Sequence, residues 1–117
     1  MNRKRILSVL MLSVLLLMMV SAVGCATTDK IGDILANPSH YEGKEVSVRG
    51  TVGDTMWLAL LGKGAYQVGD GTGNIWVTTS QPPPQKGQPA SVRGTVQPAG
   101  SLGEKTLGTV IVENKRS

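Results

Sequence analysis

Few side chains in this sequence belong to the types that catalyse reactions or hold metal ions. His40 is the single histidine and Cys25 the single cysteine, so an internal disulfide and a cysteine-based metal cage are both impossible. No nucleophile stands with a base and an orienting acid in a spacing typical of covalent catalysis. The run "GDGTGN", residues 69–74, lacks the lysine that ends a phosphate-binding loop, and is typical of a hairpin turn. We therefore expect a protein that is not an enzyme and has neither metal nor cofactor.

Cys25 follows a segment with the composition of an export signal. A basic stretch, Arg3 to Arg5, precedes a run from Ile6 to Val23 in which serines are the only polar residues. This order of basic, apolar and small residues predicts a secretory signal peptide over residues 1–24. An uncleaved membrane anchor is the alternative, because a run of this length just suffices to span tilted or thinned lipid.

The residues "AVGC", 22–25, resemble a bacterial lipobox, although Ala22 stands where leucine is usual. The resemblance implies cleavage before Cys25, which would then carry thioether-linked diacylglycerol and an N-acyl chain such as palmitate. Several acyl chains, each gaining about 0.8 kcal/mol per buried methylene, anchor a protein stably. Residues 25–30 would form the lipidated cysteine and a polar tether. We expect attachment to a bacterial membrane, facing the periplasm or the cell exterior; Ala26 implies outer-membrane sorting where such a membrane exists.

The charge balance argues against a strongly basic protein. The chain has 12 lysines and arginines against 8 acidic residues, a formal charge of +4, but three of the basic residues belong to the predicted signal peptide. The mature chain therefore carries 9 basic and 8 acidic residues. Nucleic-acid binders usually show a basic footprint, because neutralising phosphates supplies most of their non-specific affinity. This sequence shows none in its overall charge.

The elements that must position any site begin after the tether. Apolar residues recur at helical spacing over residues 31–36, with Thr28 or Asp29 as a possible N-cap. Pro38 disfavours helical structure at Asn37, so we expect a short helix that covers one end of a sheet.

The segment "SVRGTV" occurs twice, at residues 47–52 and 91–96. In both copies valines alternate with polar residues, which predicts a half-buried strand. Two independent modules of about 45 residues would each be too small to bury a core, so the copies are predicted to be two strands of one barrel. Gly50 and Gly94 interrupt these strands and predict the bends at which a barrel strand turns a corner.

Three further strands complete the predicted sheet. Two lie near residues 65–69 and 74–79, around the glycine-rich turn, and the last covers residues 106–114. The segment "QPPPQKGQP", residues 81–89, forms neither helix nor strand, because consecutive prolines lack backbone donors.

The stretches "NPSHYEGKEVSVRGTV", "AYQVGDGTGNIWV" and "ASVRGTV" resemble bacterial OB-fold lipoproteins described as nucleic-acid-binding or anticodon-binding-like, over residues 31–113. The resemblance implies an all-β, five-stranded OB-fold Greek-key barrel with a short N-terminal helix. The OB-fold domain would span residues 31–114, with a polar tail at 115–117. One departure is that the proline-rich segment replaces the helix that many OB barrels have between the third and fourth strands. One barrel end then stays open unless the helix at 31–36 closes it.

OB barrels bind ligands through their second and third strands and two flanking loops, here residues 53–64 and 97–106. The leucines of these loops, Leu58, Leu60, Leu61 and Leu102, either extend the neighbouring strands and plug the barrel or form an exposed contact patch. Aromatic residues on the hairpin either stack bases or pack structurally. Arg49 and Arg93 form either a small basic spot or a solvated face. The candidate ligand-binding residues are Trp57, Lys63, Tyr66, Trp76 and Lys105.

We therefore expect a membrane-anchored lipoprotein with a non-enzymatic binding module in the cell envelope. Its expected partners, besides the membrane itself, are an envelope protein or a glycan. The alternative is a lipoprotein that binds single-stranded nucleic acid.

Overall fold

The computed structural model describes residues 27–117; the predicted signal peptide and Cys25 lie outside the described residues. The chain forms helices α1 (Ile31–Ala36) and α2 (Pro38–Tyr41), then strands β1 (Glu45–Leu58), β2 (Lys63–Gly69), β3 (Asn74–Thr79), β4 (Pro89–Leu102) and β5 (Lys105–Arg116). A 3-10 helix, Ala59–Leu61, joins β1 to β2. Within residues 27–117, no helix has the length and apolarity needed to cross a membrane.

The five strands form one sheet that closes in the order β1-β2-β3-β5-β4, because β4 pairs with β1. All neighbours are antiparallel except β3 and β5, which run parallel. The prediction of a predominantly β protein with five strands and a short helix is confirmed.

The two copies of "SVRGTV" pair with each other. Val48 of β1 lies opposite Val92 of β4, and the flanking residues pair reciprocally: Ser47 with Arg93, and Arg49 with Ser91. Both valines are buried while both arginines are exposed. The pairing therefore buries one face of each copy and brings the two arginines onto the same outer surface.

The mid-strand glycines lie where strands change partner or register. β1 pairs with β4 up to Thr51 and with β2 from Thr51 onward, so Gly50 precedes the change of partner. The β4–β5 register shifts between Arg93 and Gly94. A Cβ atom on Gly94 would overlap the carbonyl oxygen of Val112. Gly94 is needed for the close approach of β5.

The barrel interior is filled by valines and isoleucines of all five strands, together with Tyr66. Ile31 and Ile34 of α1 are fully buried within this core. The helix therefore seals part of the barrel interior, as its amphipathic spacing predicts.

The β2–β3 turn caps the start of α1, which corrects the prediction of a cap from Thr28 or Asp29. The Asp70 carboxylate accepts the Ile31 N–H at 3.0 Å, and the Thr72 hydroxyl accepts the Gly32 N–H at 2.9 Å. Burial alone would raise the pKa of Asp70, but hydrogen bonds from Ile31, Thr72 and Gly73 outweigh it and hold the pKa below its usual value. A distant turn thus satisfies donors that a local side chain satisfies in most helices.

Asp29 has a different role, because it fastens the N-terminal segment to β1. Its N–H donates to the Ser47 carbonyl at 2.7 Å, and its carboxylate accepts the Ser47 N–H at 3.0 Å. The end of the predicted tether therefore lies beside the first "SVRGTV" copy.

Both predicted binding loops are β-hairpins, which is a second correction. β1 continues to Leu58 and β2 begins at Lys63, while β4 continues to Leu102 and β5 begins at Lys105. Gly62 and Gly103 turn the chain in left-handed conformations, with φ of 61° and 62°. We call residues 53–64 the first arm and residues 97–106 the second arm.

The predicted polar tail is also part of the sheet. β5 runs to Arg116, and Lys115 pairs with Arg93 of β4. The backbone of Ser117 exchanges two hydrogen bonds with Ser91, at 3.0 and 3.1 Å. Residues 115–117 therefore belong to the barrel wall, because their backbone groups find partners on β4.

Candidate functional site

The tip of the first arm exposes a cluster of large apolar side chains. Leu60 is 102% exposed and Leu61 61%, while Trp57 and Leu58 are 38% and 37% exposed. The 3-10 helix and the turn at Gly62 carry the leucines beyond the barrel. At this tip they form an exposed patch. Leu58 nevertheless extends β1, and Leu102 of the other predicted loop extends β4 and is buried, as the alternative expects.

The second arm lies against the first. Lys105 places its Nζ 4.0 Å from the Sδ of Met56, and a Cβ atom on Gly103 would lie 3.8 Å from a methyl carbon of Leu58. Lys63 pairs with Leu58 across the first arm. We define the arm surface as Trp57, Leu58, Leu60, Leu61, Lys63 and Lys105. It contains three of the five predicted ligand-binding residues.

Trp57 is held by a glycine on the opposite strand of its own arm. It pairs with Gly64 of β2, and a Cβ atom on Gly64 would lie 2.7 Å from the indole ring. The ring therefore packs directly on the backbone of β2, which limits its rotamers and keeps one edge exposed to solvent.

Tyr66 lies in the core, so of the two alternatives for this residue the structure supports packing, and the hypothesis that it binds a ligand by stacking is wrong. Its side chain is fully buried and its hydroxyl donates to Glu113 at 2.5 Å. The same carboxylate accepts the Thr79 hydroxyl at 3.1 Å and lies 3.7 Å from the Arg116 guanidinium. Arg116 also lies 5.6 Å from the centre of the Tyr66 ring. We call Tyr66, Thr79, Glu113 and Arg116 the buried network.

Burial, together with the hydrogen bond to Glu113 and the negative charge of that carboxylate, raises the pKa of Tyr66 well above its usual value of 10.0. The phenol therefore remains a donor throughout the physiological pH range.

Alkaline pH should consequently destabilise the fold through this residue. The unfolded chain loses the Tyr66 proton near pH 10, whereas the folded chain retains it, so the stability that the phenol contributes is present below pH 10 and falls as the pH rises further. Equilibrium denaturation at a series of pH values, compared between wild type and Tyr66→Phe, measures this. We expect the decline above pH 10 to be shallower in the variant; parallel curves would contradict the assignment.

Trp76 lies on the opposite face of the hairpin from Tyr66. It is half-buried on the outer surface of the sheet, where it pairs with Gln67 and with Val110. β4 also contacts β2, which is not its neighbour in the sheet, and Ala65 of β2 is fully buried. Because Tyr66 faces the core and Trp76 faces the outer surface of the sheet, the two hairpin aromatics do not form a common stacking platform.

A second candidate site lies where the two "SVRGTV" copies pair. A cavity of about 440 Å³ opens there, which we call the basic cleft. Four of its lining residues are cationic and none is acidic. The cations are Arg49, Arg93, Lys115 and Arg116. Residues with hydroxyl groups also line the cleft, namely Thr27, Thr28, Ser47, Ser91 and Ser117, and the two remaining lining residues are Val48 and Val92.

The charges of the basic cleft are only partly compensated. Arg93 lies 3.7 Å from Glu45 in an exposed pair, which contributes little attraction in water. Arg116 interacts with Glu113 inside the barrel wall. Arg49 and Lys115 form no ion pair with any of residues 27–117. The sequence indicated Arg49 and Arg93, whereas the contribution of Lys115 depends on the extent of β5.

His40 takes no part in either site. It is exposed on α2, where its ring meets Tyr41 edge-on at 5.2 Å. Residues 27–117 contain no cluster of three or more histidine, cysteine or acidic side chains that could hold a metal ion.

No protein-family model matches the chain, and no curated protein matches it in sequence. Functional conclusions therefore depend on the arm surface and the basic cleft themselves.

Proposed function

We propose that this chain is a bacterial lipoprotein, anchored through acyl chains on Cys25, whose OB-fold domain binds a protein partner in the cell envelope through its arm surface. The strand order and the single parallel pair, β3 with β5, support the OB-fold assignment. The order of basic, apolar and small residues before Cys25 supports the anchor. The module acts by binding and not by catalysis.

The observation that carries the proposal is the exposure of the arm surface. Trp57, Leu58, Leu60 and Leu61 are adjacent, apolar and exposed on a hairpin. Contiguous exposed apolar residues with a polar rim mark sites of protein contact, and tryptophan is among the residues that contribute most to such interfaces. Lys63 and Lys105 provide the rim, so a partner with an apolar groove and acidic edges fits this surface.

The position of the arms on the barrel is consistent with this role. The N-terminal segment contacts β1 at Ser47, whereas the apolar tip follows the other end of that strand, about 35 Å further along its path. The tether and the arm surface thus occupy opposite ends of β1. An anchored chain can present the arms to a partner without removing its anchor from the membrane.

Photo-crosslinking tests the proposal. A photoreactive residue in place of Leu60, in the full chain expressed in a bacterium that exports it, should give one discrete crosslinked protein. The matched control places the same residue at Gln85, which is exposed in the proline-rich segment. Equal crosslinking from both positions, or a Leu60 adduct that survives Trp57→Ala with undiminished yield, would count against a specific interface.

Single-stranded nucleic acid binding is the second candidate, and the basic cleft is the observation that favours it. Its cations come from three adjacent strands, but no exposed aromatic side chain lines it. Titrating oligonucleotides at low and moderate salt while following Trp57 and Trp76 fluorescence separates the candidates. Quenching that weakens steeply with salt supports nucleic acid binding; no response at low salt leaves the protein-binding proposal.

A further inference from the structure

We propose that the basic cleft binds the phosphate groups of anionic lipids in the membrane to which the chain is anchored. The cleft would hold the membrane-facing side of the barrel against the lipid headgroups. The inference rests on the anchor at Cys25 in the proposed function.

The chemistry of the cleft suits a phosphate diester. Arg49 on β1 and Arg93 on β4 are diagonal neighbours across the antiparallel pair. Backbones in such positions are roughly 7 Å apart. Guanidinium groups at this spacing can each present paired N–H donors to phosphate oxygens. Lys115 adds a point charge, because it pairs with Arg93 on the next strand. Serine and threonine hydroxyls around these cations can donate to remaining oxygens.

Positive charge is distributed unevenly over the domain, although the net charge of the mature chain is close to zero. Of the 9 lysines and arginines that follow the predicted signal peptide, four line this one cleft, and no aspartate or glutamate lines it. Of these four, Arg116 is paired with the buried Glu113 and Arg93 is weakly paired with the exposed Glu45, so Arg49 and Lys115 supply most of the uncompensated positive charge at this surface. Such a surface is attracted to anionic lipid over a range comparable to the Debye length.

The location of the cleft favours lipid over other phosphate sources. Thr27 and Thr28 line the cleft, and Thr27 is two residues from Cys25, a chain reach of at most about 7 Å. Acyl chains on Cys25 would hold the cleft at the level of the headgroups. The apolar arm tip, beyond the other end of β1, remains available for a partner.

Reactivity of Lys115 toward an amine-acetylating reagent tests the inference in the full chain. The protein is reconstituted into nanodiscs of phosphatidylcholine alone, or of equal parts phosphatidylcholine and phosphatidylglycerol, and acetylation is followed by mass spectrometry. Lys63, exposed on the first arm, is the internal control. We expect Lys115 to react about fivefold more slowly in anionic nanodiscs, Lys63 to be unchanged, and high salt to remove the difference.

Substitutions identify the cleft as the cause of this protection. The double variant Arg49→Gln/Arg93→Gln should abolish the protection of Lys115. The single variant Arg49→Lys keeps the charge and should retain most of the protection. Both arginines are exposed, and circular dichroism confirms that the variants fold. Equal Lys115 reactivity in the two lipid compositions would overturn the inference, as would protection that persists in the double variant. Stronger protection by glycerol phosphate or an oligonucleotide in neutral nanodiscs would assign the cleft to another phosphate source and overturn it too.

The intact mass of the same samples reports acylation of Cys25 independently. Protected Lys115 without acyl groups would overturn the anchor and support the cleft. Acylated Cys25 with unprotected Lys115 would overturn the cleft and leave the anchor in place.

Discussion

Replacing Glu113 with alanine should lower the free energy of unfolding by roughly 3–5 kcal/mol, the range found when one partner of a buried ion pair is removed. The Glu113 side chain is only 5% exposed, and it accepts hydrogen bonds from both Tyr66 and Thr79. Its removal leaves the Tyr66 hydroxyl without its acceptor and Arg116 without its counter-ion, while the Thr79 hydroxyl can still donate to the Gln81 carbonyl at 3.3 Å. Each unsatisfied buried group adds its own desolvation cost.

Equilibrium urea denaturation of the purified protein, followed by tryptophan fluorescence, measures this loss. The matched control is Glu104→Ala, because Glu104 is an exposed acidic residue in the turn of the second arm. We expect the control to change the free energy of unfolding by less than about 0.5 kcal/mol. A Glu113→Ala loss as small as that of the control would show that the buried network does not stabilise the barrel.

Replacing Gly94 with alanine should be the second most damaging of these changes, with a loss of about 1–3 kcal/mol or more. The added Cβ atom would overlap the Val112 carbonyl oxygen and the Ile111 side chain, so β5 would have to move away from β4. Because the overlap involves backbone, a change of rotamer cannot relieve it. The β4–β5 pair closes the barrel on one side of the basic cleft, so the damage should extend to that site.

Gly53→Ala provides the comparison, since Gly53 lies in β1 and a Cβ atom there would meet only the Gln67 side chain and carbonyl oxygen at 3.2 Å or more. Alanine also reduces the conformational freedom of the unfolded chain, which favours folding. Thermal unfolding by circular dichroism should show a clear loss for Gly94→Ala and a small change for Gly53→Ala. Similar midpoints for the two variants would contradict the steric role of Gly94.

The sequence predicts the barrel strands well because their pattern records burial directly. Valines alternate with polar residues in both copies of "SVRGTV", and a period of two is typical of a strand with one buried face. The short helix at Ile31–Ala36 and the strand at Asn74–Thr79 are predicted with the bounds that the structure shows. Turn glycines mark the ends of the hairpin between β2 and β3.

The arms could not be predicted in the same way. Apolar residues between Met56 and Leu61 are consecutive and do not alternate, because both faces of a projecting hairpin meet solvent or the other arm. These strands are extended by hydrogen bonds between backbone groups, which do not require a particular pattern of side chains. The prediction that residues 53–64 and 97–106 are loops was therefore wrong, whereas the alternative that their leucines extend the neighbouring strands is confirmed for Leu58 and Leu102.

The sequence contains a signal from which the buried network could have been predicted. Glu113 is two residues from the core residue Ile111, and Thr79 is two residues from the core residue Val77. Polar residues in phase with a buried face require partners inside the barrel. The basic cleft had no comparable signal, because it depends on which strands become neighbours and on how far β5 extends.

The reciprocal pairing of the two "SVRGTV" copies has a consequence for how the chain assigns its strands during folding. An antiparallel ladder centred on Val48 and Val92 joins two identical segments, so the six residues themselves cannot distinguish β1 from β4, or one molecule from another. Strand identity must come from sequence outside the repeat. Asp29, which accepts the Ser47 N–H, distinguishes β1, and β5, whose pairing shifts register beside Gly94, distinguishes β4. The chain thus encodes which copy is which outside the repeat.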